Sequence, residues 1–382
     1  MASTILGLLP EIRGGLGALA RAGQHSRFID GYLKPYARAF DEIRYFSYLT
    51  ESLADYTDDA EVRASVRLLA GSRWHPWAYA VAMPIRYQRE IRGCSVLRVF
   101  QVTGVVPALL AKWRYGIPFV TTYGFPSRTL RRSWLSGSLR ARVEAQGLRY
   151  ADAVIVPTAE LWTDIERRVG NPAGIHLIPN GVDTGRFAPG ARTQPGGTGI
   201  LYVGRLSPEK NLETLVAAAA KLGPRLEARL TFVGDGPLRE RLRAAAVEHG
   251  VRLELVPSVD HRELPRIYRS ADVFVLPSFT EGHSKVLIEA MSCGLPCIAS
   301  DIVANRSVLA DGDAGLLFDP HDAGALAARL EQVYGQRRLA DELGQRARGR
   351  VLAHYDLATL VAREIELLQR VAGARASAPK LR

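Results

Sequence analysis

The sequence predicts an α/β protein made of two doubly wound, Rossmann-like domains in series, facing across a cleft. Three observations carry this. The chain has 382 residues, and at about 150 residues per domain that length suggests two or three domains. Short aliphatic, β-branched runs alternate with helical periodicity, the pattern of parallel strands joined by helical crossovers. One Pro- and Gly-rich stretch, 186–199, interrupts the alternation, and the pattern then restarts.

Residues 1–185 therefore form the N-terminal domain, 186–199 the linker and 200–355 the C-terminal domain. Residues 356–382 form a helix and tail expected to pack back toward the first domain. In the first half, Thr4–Leu9, Ile43–Leu49, Val96–Val102, Phe119–Tyr123, Ala153–Val156 and His176–Ile178 read as strands. In the second half the strands are 200–204, 229–233, 251–256, 272–276, 296–300 and 314–318. The helices between and after them are 208–222, 237–249, 261–269, 284–293 and 322–334. Ligands of doubly wound sheets bind outside the carboxyl ends of the strands, so the loops there are the candidate site.

Composition removes several classes. Hydrophobic residues are 47% and charged residues 23%, which is globular rather than disordered or fibrous. No apolar run reaches the ~20 residues of a membrane span, and the N-terminal apolar stretch is too short for a signal peptide. Three cysteines, Cys94, Cys293 and Cys297, are too few for a disulfide framework and read as small packing residues of a cytoplasmic protein. The net charge of +11 is uneven: residues 81–150 carry 12 basic and 2 acidic side chains. That bias suggests an anionic partner, and the segment Arg128–Arg149, with Trp134, Leu135 and Leu139 interleaved, reads as an anionic membrane surface contact or a solvated helix face. Nucleic acid is not expected, since no recognition motif accompanies the charge.

Four motifs carry candidate chemistry. In Gly204-Arg205-Leu206-Ser207-Pro208-Glu209-Lys210, Ser207 reads as an N-cap and Pro208 as the first helical residue. Lys210 then lies in the first helical turn, against the dipole, a conflict that a bound anion between Arg205 and Lys210 removes. In Glu281-Gly282-His283-Ser284-Lys285-Val286-Leu287-Ile288-Glu289, Gly282 permits close ligand approach and Ser284 caps a helix. Eight helical residues rise ~12 Å, so Glu281 and Glu289 suit two ends of an elongated hydroxyl-bearing ligand rather than one reaction centre. Alone, Glu289 is equally an ordinary exposed helix residue. Gly234-Asp235-Gly236-Pro237 is a strand-to-helix turn and only a weak phosphate-loop signal. Gly15-x-Gly17-x-x-Ala20 fits the dinucleotide fingerprint, but Glu51 comes too late to be its acidic partner, and a Gly-rich flap over the cleft reads better. Asp311-Gly312-Asp313 reads as a turn rather than a metal site. His75, in Trp74-His75-Pro76-Trp77, reads as part of a packed aromatic corner more than a sugar platform.

Together these segments resemble the retaining GT-B glycosyltransferases of family 4. The resemblance rests on 204–210, on two glutamates separated by seven residues, on Ala290-Met291-Ser292-Cys293-Gly294-Leu295-Pro296 and on Ile178-Pro179-Asn180-Gly181-Val182-Asp183. It covers about 150–355, with 1–150 alike in outline. It implies that Arg205 and Lys210 hold the donor diphosphate, Glu281 the donor sugar and Glu289 the ribose. Gly204, Gly234, Gly282, His283 and Ser284 complete the donor loops, and Gly15 lies against the diphosphate. It further implies a nucleotide-sugar donor, a glycan or lipid-linked acceptor, no metal and no other cofactor, and a cytoplasmic location that extends to the inner face of the membrane. Where many members carry Thr-x-His-Gly, this chain reads Thr121-Thr122-Tyr123-Gly124, so Tyr123 or Gln101 substitutes or the contact is dispensable. The rival readings are a nucleotide-sugar epimerase and an NAD-dependent enzyme.

Overall fold

The computed structural model describes residues 3–124, 134–169, 174–190, 199–222, 226 and 228–377. The chain divides into two compact units, Met1–Pro179 with Thr359–Arg382, and Asn180–Ala358.

The first unit is built on seven parallel strands: β1 Ile5–Leu9, β2 Glu42–Phe46, β3 Val66–Leu69, β4 Val96–Val99, β5 Phe119–Thr122, β6 Ala153–Val156 and β7 Ile175–Leu177. Their order is β3-β2-β1-β4-β5-β6-β7, so the winding reverses between β1 and β4. Leu6 pairs with Ile43 on one side and Val96 on the other. Strands β4 and β6 are buried along their whole length; β6 reads as a continuous aliphatic run, and β4 does so but for Arg98. Strand β3 is absent from the sequence reading. Its Val-Arg-Leu-Leu follows the helix Ala60–Ser65 with no turn residue between them, and Arg67 is exposed.

Burying both faces of β4 also buries Arg98. Its guanidinium is answered by Glu364 of the helix Leu357–Ser377, with Nε 2.5 Å from Oε1, and by Thr122 Oγ1 at 2.8 Å. The Tyr36 hydroxyl donates to the same Glu364 oxygen at 2.5 Å. The chain thus returns to the first unit after residue 358 and threads a charged knot through its core.

The second unit carries β8 Gly199–Val203, β9 Arg229–Val233, β10 Arg252–Val256, β11 Val273–Leu276, β12 Cys297–Ser300 and β13 Leu316–Phe318, all parallel, in the order β10-β9-β8-β11-β12-β13. Its reversal lies between β8 and β11. The unit begins at Asn180, ahead of the linker expected at 186–199, because Val182 bridges to Asp356 and Arg348 holds the carbonyls of Thr184 and Phe187. Residues 191–198 of that linker lie outside the described residues.

The single helix expected over 208–222 is two elements. Pro208–Lys210 is a 3₁₀ turn, Asn211 is left-handed (φ 55°), and the α-helix runs Leu212–Lys221. The break is held by the Asn211 amide, which donates to the carbonyls of Pro277 and Pro320 at 3.0 and 2.8 Å. Asparagine tolerates this backbone region better than most residues.

Candidate functional site

In the second unit, the loops that follow β8 and β11 meet at the point where the winding reverses, the place where such sheets bind ligands. Lys210 Nζ lies 2.7 Å from Glu281 Oε1, and the Ser278 hydroxyl donates to the same oxygen at 2.7 Å. The two loops are also joined backbone to backbone, Phe279 N–H donating to Glu209 O at 2.9 Å. Lys210 is 21% exposed and Glu281 9%. This corrects the electrostatic reading of Lys210. It sits at the end of a short 3₁₀ turn rather than in the first turn of a long helix, and Glu281 supplies its counter-charge. Arg205 is exposed beside them, its carbonyl fixed by the Tyr202 hydroxyl at 2.9 Å. Ser207 also differs from expectation. It occupies the N-cap position, but its hydroxyl donates to Glu209 Oε1 at 2.5 Å instead of capping the turn.

Gly204 and Gly234 have φ of 150° and 136°, a region that favours glycine. A Cβ on Gly234 would stand 2.2 Å from Gly204 O, and one on Gly236 2.2 Å from Leu206 O. The loops after β8 and β9 are therefore packed main chain against main chain, with Leu206 N–H donating to Asp235 O and Leu238 N–H to Leu206 O, both at 3.0 Å. That contact accounts for the Gly-Asp-Gly turn.

Glu281 and Glu289 flank the start of the helix Lys285–Ser292. Gly282, His283 and Ser284 are buried ahead of it. Ser284 stands at the N-cap, yet among the described residues its side chain makes no cap hydrogen bond, contrary to its expected role. Glu289 is not an exposed helix residue: it is 2% exposed and held by His261 Nε2 at 2.9 Å and the Tyr268 hydroxyl at 3.0 Å. His261 and Tyr268 belong to no motif singled out in the sequence. The signal available was the need of a carboxylate in an apolar helix for a partner. Asn180 Nδ2 donates to His283 O at 2.9 Å, so the Asn180-Gly181 segment fixes the loop.

Burial, and secondarily Lys285, pulls the His283 imidazole down from its ordinary 6.5 to about 4. Because the folded value lies below the unfolded one, His283 carries no stability penalty above pH 6.5. Stability falls as the pH drops from 6.5 toward 4 and is level below that, a loss of about 3 kcal/mol at most. Unfolding free energies from urea titrations at pH 7.5 and 4.5 are expected to differ less in His283→Gln than in the wild type, by roughly 2–3 kcal/mol. An equal pH response in both proteins would contradict a buried neutral imidazole.

In the first unit, the Gly-rich loop after β1 is pinned rather than flap-like. Gly14 N–H donates to Glu11 O at 2.7 Å and Tyr48 N–H to Gly14 O at 3.0 Å. The Glu51 carboxylate accepts from Leu16 N–H at 2.9 Å and Gly17 N–H at 2.7 Å, with Ser47 and Tyr56 donating to its two oxygens. Glu51, too late in sequence for the dinucleotide pattern, is adjacent in space because β2 lies beside β1. A Cβ on Gly15 would meet Glu51 Oε1 and Ser47 Oγ at 2.6 Å. Tyr123 is fully buried, donating to Asp164 Oδ2 at 2.5 Å and receiving Arg168 NH1 at 2.6 Å. Gln101 lies against Gly124.

Asp313 faces Arg346 at 3.1 Å, and Asp311 sits in a left-handed turn. Cys94, Cys293 and Cys297 are free and buried, and burial pushes the Cys94 and Cys293 thiols up to about 12. The aromatic corner at His75 is not packed: Trp74 is 58% and Trp77 41% exposed. Of Arg128–Arg149, residues 128–133 lie outside the described residues, and the rest belongs to the helix Trp134–Tyr150. Among the described residues, no helix is long and apolar enough to cross a membrane.

Two family models match the chain, "Glycosyltransferase Family 4" over residues 20–186 and "Glycosyl transferases group 1" over 191–350. Glycogen synthase of Mycobacterium tuberculosis is 31% identical over 266 residues, covering 66% of this chain and 63% of that protein. D-inositol 3-phosphate glycosyltransferase of Acidothermus cellulolyticus is 32% identical over 256 residues, covering 58% and 56%. The chain thus spans about three fifths of the length of these curated relatives. Among solved structures, sucrose-phosphate synthase from Thermosynechococcus elongatus matches with a TM-score of 0.80 at 23% identity, over 97% of this chain and 100% of that one. Anabaena HepE in complex with UDP-glucose matches with a TM-score of 0.76 at 18% identity, over 96% and 100%. At these identities the solved structures establish a common fold.

Proposed function

This chain belongs to family 4 of the GT-B glycosyltransferases, and on that premise we propose that it moves a sugar from a nucleotide-diphosphate-sugar donor to a hydroxyl acceptor with retention of anomeric configuration. The acceptor is a glycan or lipid-linked sugar of a cell-surface polysaccharide or glycolipid pathway, and the reaction takes place in the cytoplasm. The observation that carries the reading is the pairing of Lys210 with Glu281 where the loops after β8 and β11 meet.

In this proposal Arg205 and Lys210 take the donor diphosphate, and Lys210 exchanges part of its contact with Glu281 for a phosphate oxygen. Backbone N–H groups of Gly282 and His283, and the open start of the helix after Ser284, add to that grip. Glu281, released in part from Lys210, accepts hydroxyls of the donor sugar. Glu289 accepts ribose hydroxyls. A carboxylate has about four acceptor positions, so His261 and Tyr268 orient it without exhausting it. Gly204 and Gly234 let the loops of the site close on each other.

The acceptor oxygen attacks the anomeric carbon from the face that the leaving group departs. The bond from that carbon to the phosphate oxygen breaks, and the departing diphosphate takes the acceptor proton. The protein's main work is to stabilise charge on that diphosphate. Arg205, Lys210 and the helix start provide positive charge for this without a metal ion. HepE, crystallised with UDP-glucose, is a relative in fold whose bound ligand has the proposed donor chemistry.

Incubation with UDP-, GDP- and ADP-sugars and simple glycoside acceptors tests the reading. Release of one nucleoside diphosphate, with a product whose anomeric proton coupling matches the donor, is expected. A product of opposite configuration overturns retention. A changed nucleotide sugar without diphosphate release would assign an epimerase instead, and no turnover of any donor would remove the transferase reading.

A further inference from the structure

We propose that the first unit carries a docking face for an anionic lipid bilayer, built on the helix Pro76–Arg86. Trp77, Val81 and Ile85 recur at four-residue spacing, so they share one face of this helix. They are 41%, 54% and 72% exposed, and Trp74 just ahead of the helix is 58% exposed. The opposite face, Tyr79, Ala80, Met83 and Pro84, fills the core. The apolar stripe is therefore surplus to folding.

The helix Val106–Tyr115 packs beside this one. The Tyr115 hydroxyl donates to Pro84 O at 3.1 Å, which fixes the two helices side by side. Trp113 is 59% exposed and meets the exposed Tyr150 edge-on, ring centroids 5.7 Å apart. Arg92 and Arg114 lie over the Tyr115 ring at 5.9 and 5.6 Å. Arg73, Arg86, Arg89, Arg92 and Arg114 are all exposed around the apolar stripe. The one acidic residue between 73 and 115, Glu90, faces Arg67 at 3.5 Å.

Exposed aliphatic groups, together with exposed tryptophan, tyrosine and arginine, match the composition of a bilayer interface. The aliphatic side chains enter the acyl boundary, the aromatic rings sit at headgroup depth, and the arginines reach lipid phosphates. Charge complementarity selects an anionic lipid surface as the occupant. The contact is peripheral. It adjoins the helix Trp134–Tyr150 through Tyr150 but rests on residues upstream of the Arg128–Arg149 segment. It also stands independently of the transfer reaction, because its test reads partition rather than turnover.

Co-sedimentation with vesicles of phosphatidylcholine alone, and with about 30% phosphatidylglycerol, is the test. The wild type is expected to partition onto the anionic vesicles and to leave them at high salt. Ile85→Asp with Val81→Asp should lose retention by at least tenfold, and Arg86→Glu with Arg89→Glu by more than fivefold per arginine. All four side chains are exposed, so unfolding midpoints should stay near wild type, and this is checked alongside. Three results would overturn the proposal: no retention of the wild type, retention of the Val81→Asp/Ile85→Asp protein equal to wild type, or a dimer in solution that this variant abolishes with no vesicle binding. The last would assign the face to a second copy of the chain.

Discussion

Lys210→Ala is expected to lower sugar-transfer turnover by ~100- to 1000-fold, a barrier increase of about 3–4 kcal/mol, with little change in the unfolding midpoint. Lys210 is the cation at the meeting of the two loops, and in the proposed reaction its charge opposes the negative charge that grows on the departing diphosphate. The ground state needs it less. Glu281 keeps its bond from Ser278 when Lys210 is removed, and at 9% exposure it still reaches water. Lys210→Arg should recover only part of the activity, since a planar guanidinium cannot occupy the position of a compact ammonium. Single-turnover rates and thermal unfolding of the three proteins check this. Turnover within a few fold of wild type for the alanine variant would remove Lys210 from the mechanism.

The largest stability effect is expected in the first unit, at Glu364→Ala. Arg98 and Glu364 have side chains only 4% and 6% exposed. Removing the carboxylate strands a guanidinium in the core and takes the acceptor from the Tyr36 hydroxyl, a cost of about 3–5 kcal/mol. Burial, with the Glu364 charge next, already holds the Tyr36 phenol well above its ordinary range, so that hydroxyl remains a donor seeking an acceptor. Arg98→Leu combined with Glu364→Leu should cost less than Glu364→Ala alone, because no charge is then left buried. Urea unfolding followed by near-ultraviolet circular dichroism separates the variants. A wild-type midpoint for Glu364→Ala would mean that the pair does not hold the C-terminal helix to its unit.

Both effects show which parts of the molecule the sequence makes legible. Parallel strands buried on both faces, such as Ala153–Val156 and Val273–Leu276, stand out as apolar runs and locate the sheets. Val66–Leu69 does not, because a helix runs straight into it and Arg67 breaks its hydrophobic character. Arg205, Lys210, Glu281 and Glu289 are legible as motifs because each follows a strand end. Their partners are not. His261 and Tyr268 reach Glu289 from 28 and 21 residues away, and nothing in their own surroundings marks them. Asn211 looks like an ordinary helix residue until the carbonyls of Pro277 and Pro320, supplied by distant loops, are seen to hold it left-handed. Glu51 fails a spacing rule written for chain order, while its contact with Leu16 and Gly17 depends on strand order. The pair Arg98–Glu364, 266 residues apart, has no local signature at all.

In the proposed reaction the loops after β8 and β11 bind a nucleoside diphosphate. Thermal unfolding of the wild type and Lys210→Ala, each with UDP, GDP, ADP or NAD, tests it most directly. A ligand at 100 times its dissociation constant stabilises by about 2.7 kcal/mol, a shift of roughly a few degrees for a chain of this size. A shift with one nucleoside diphosphate is expected in the wild type, lost or strongly reduced in Lys210→Ala. A shift with NAD alone, equal in both proteins, would contradict it and move the nucleotide site to the Gly-rich loop after β1.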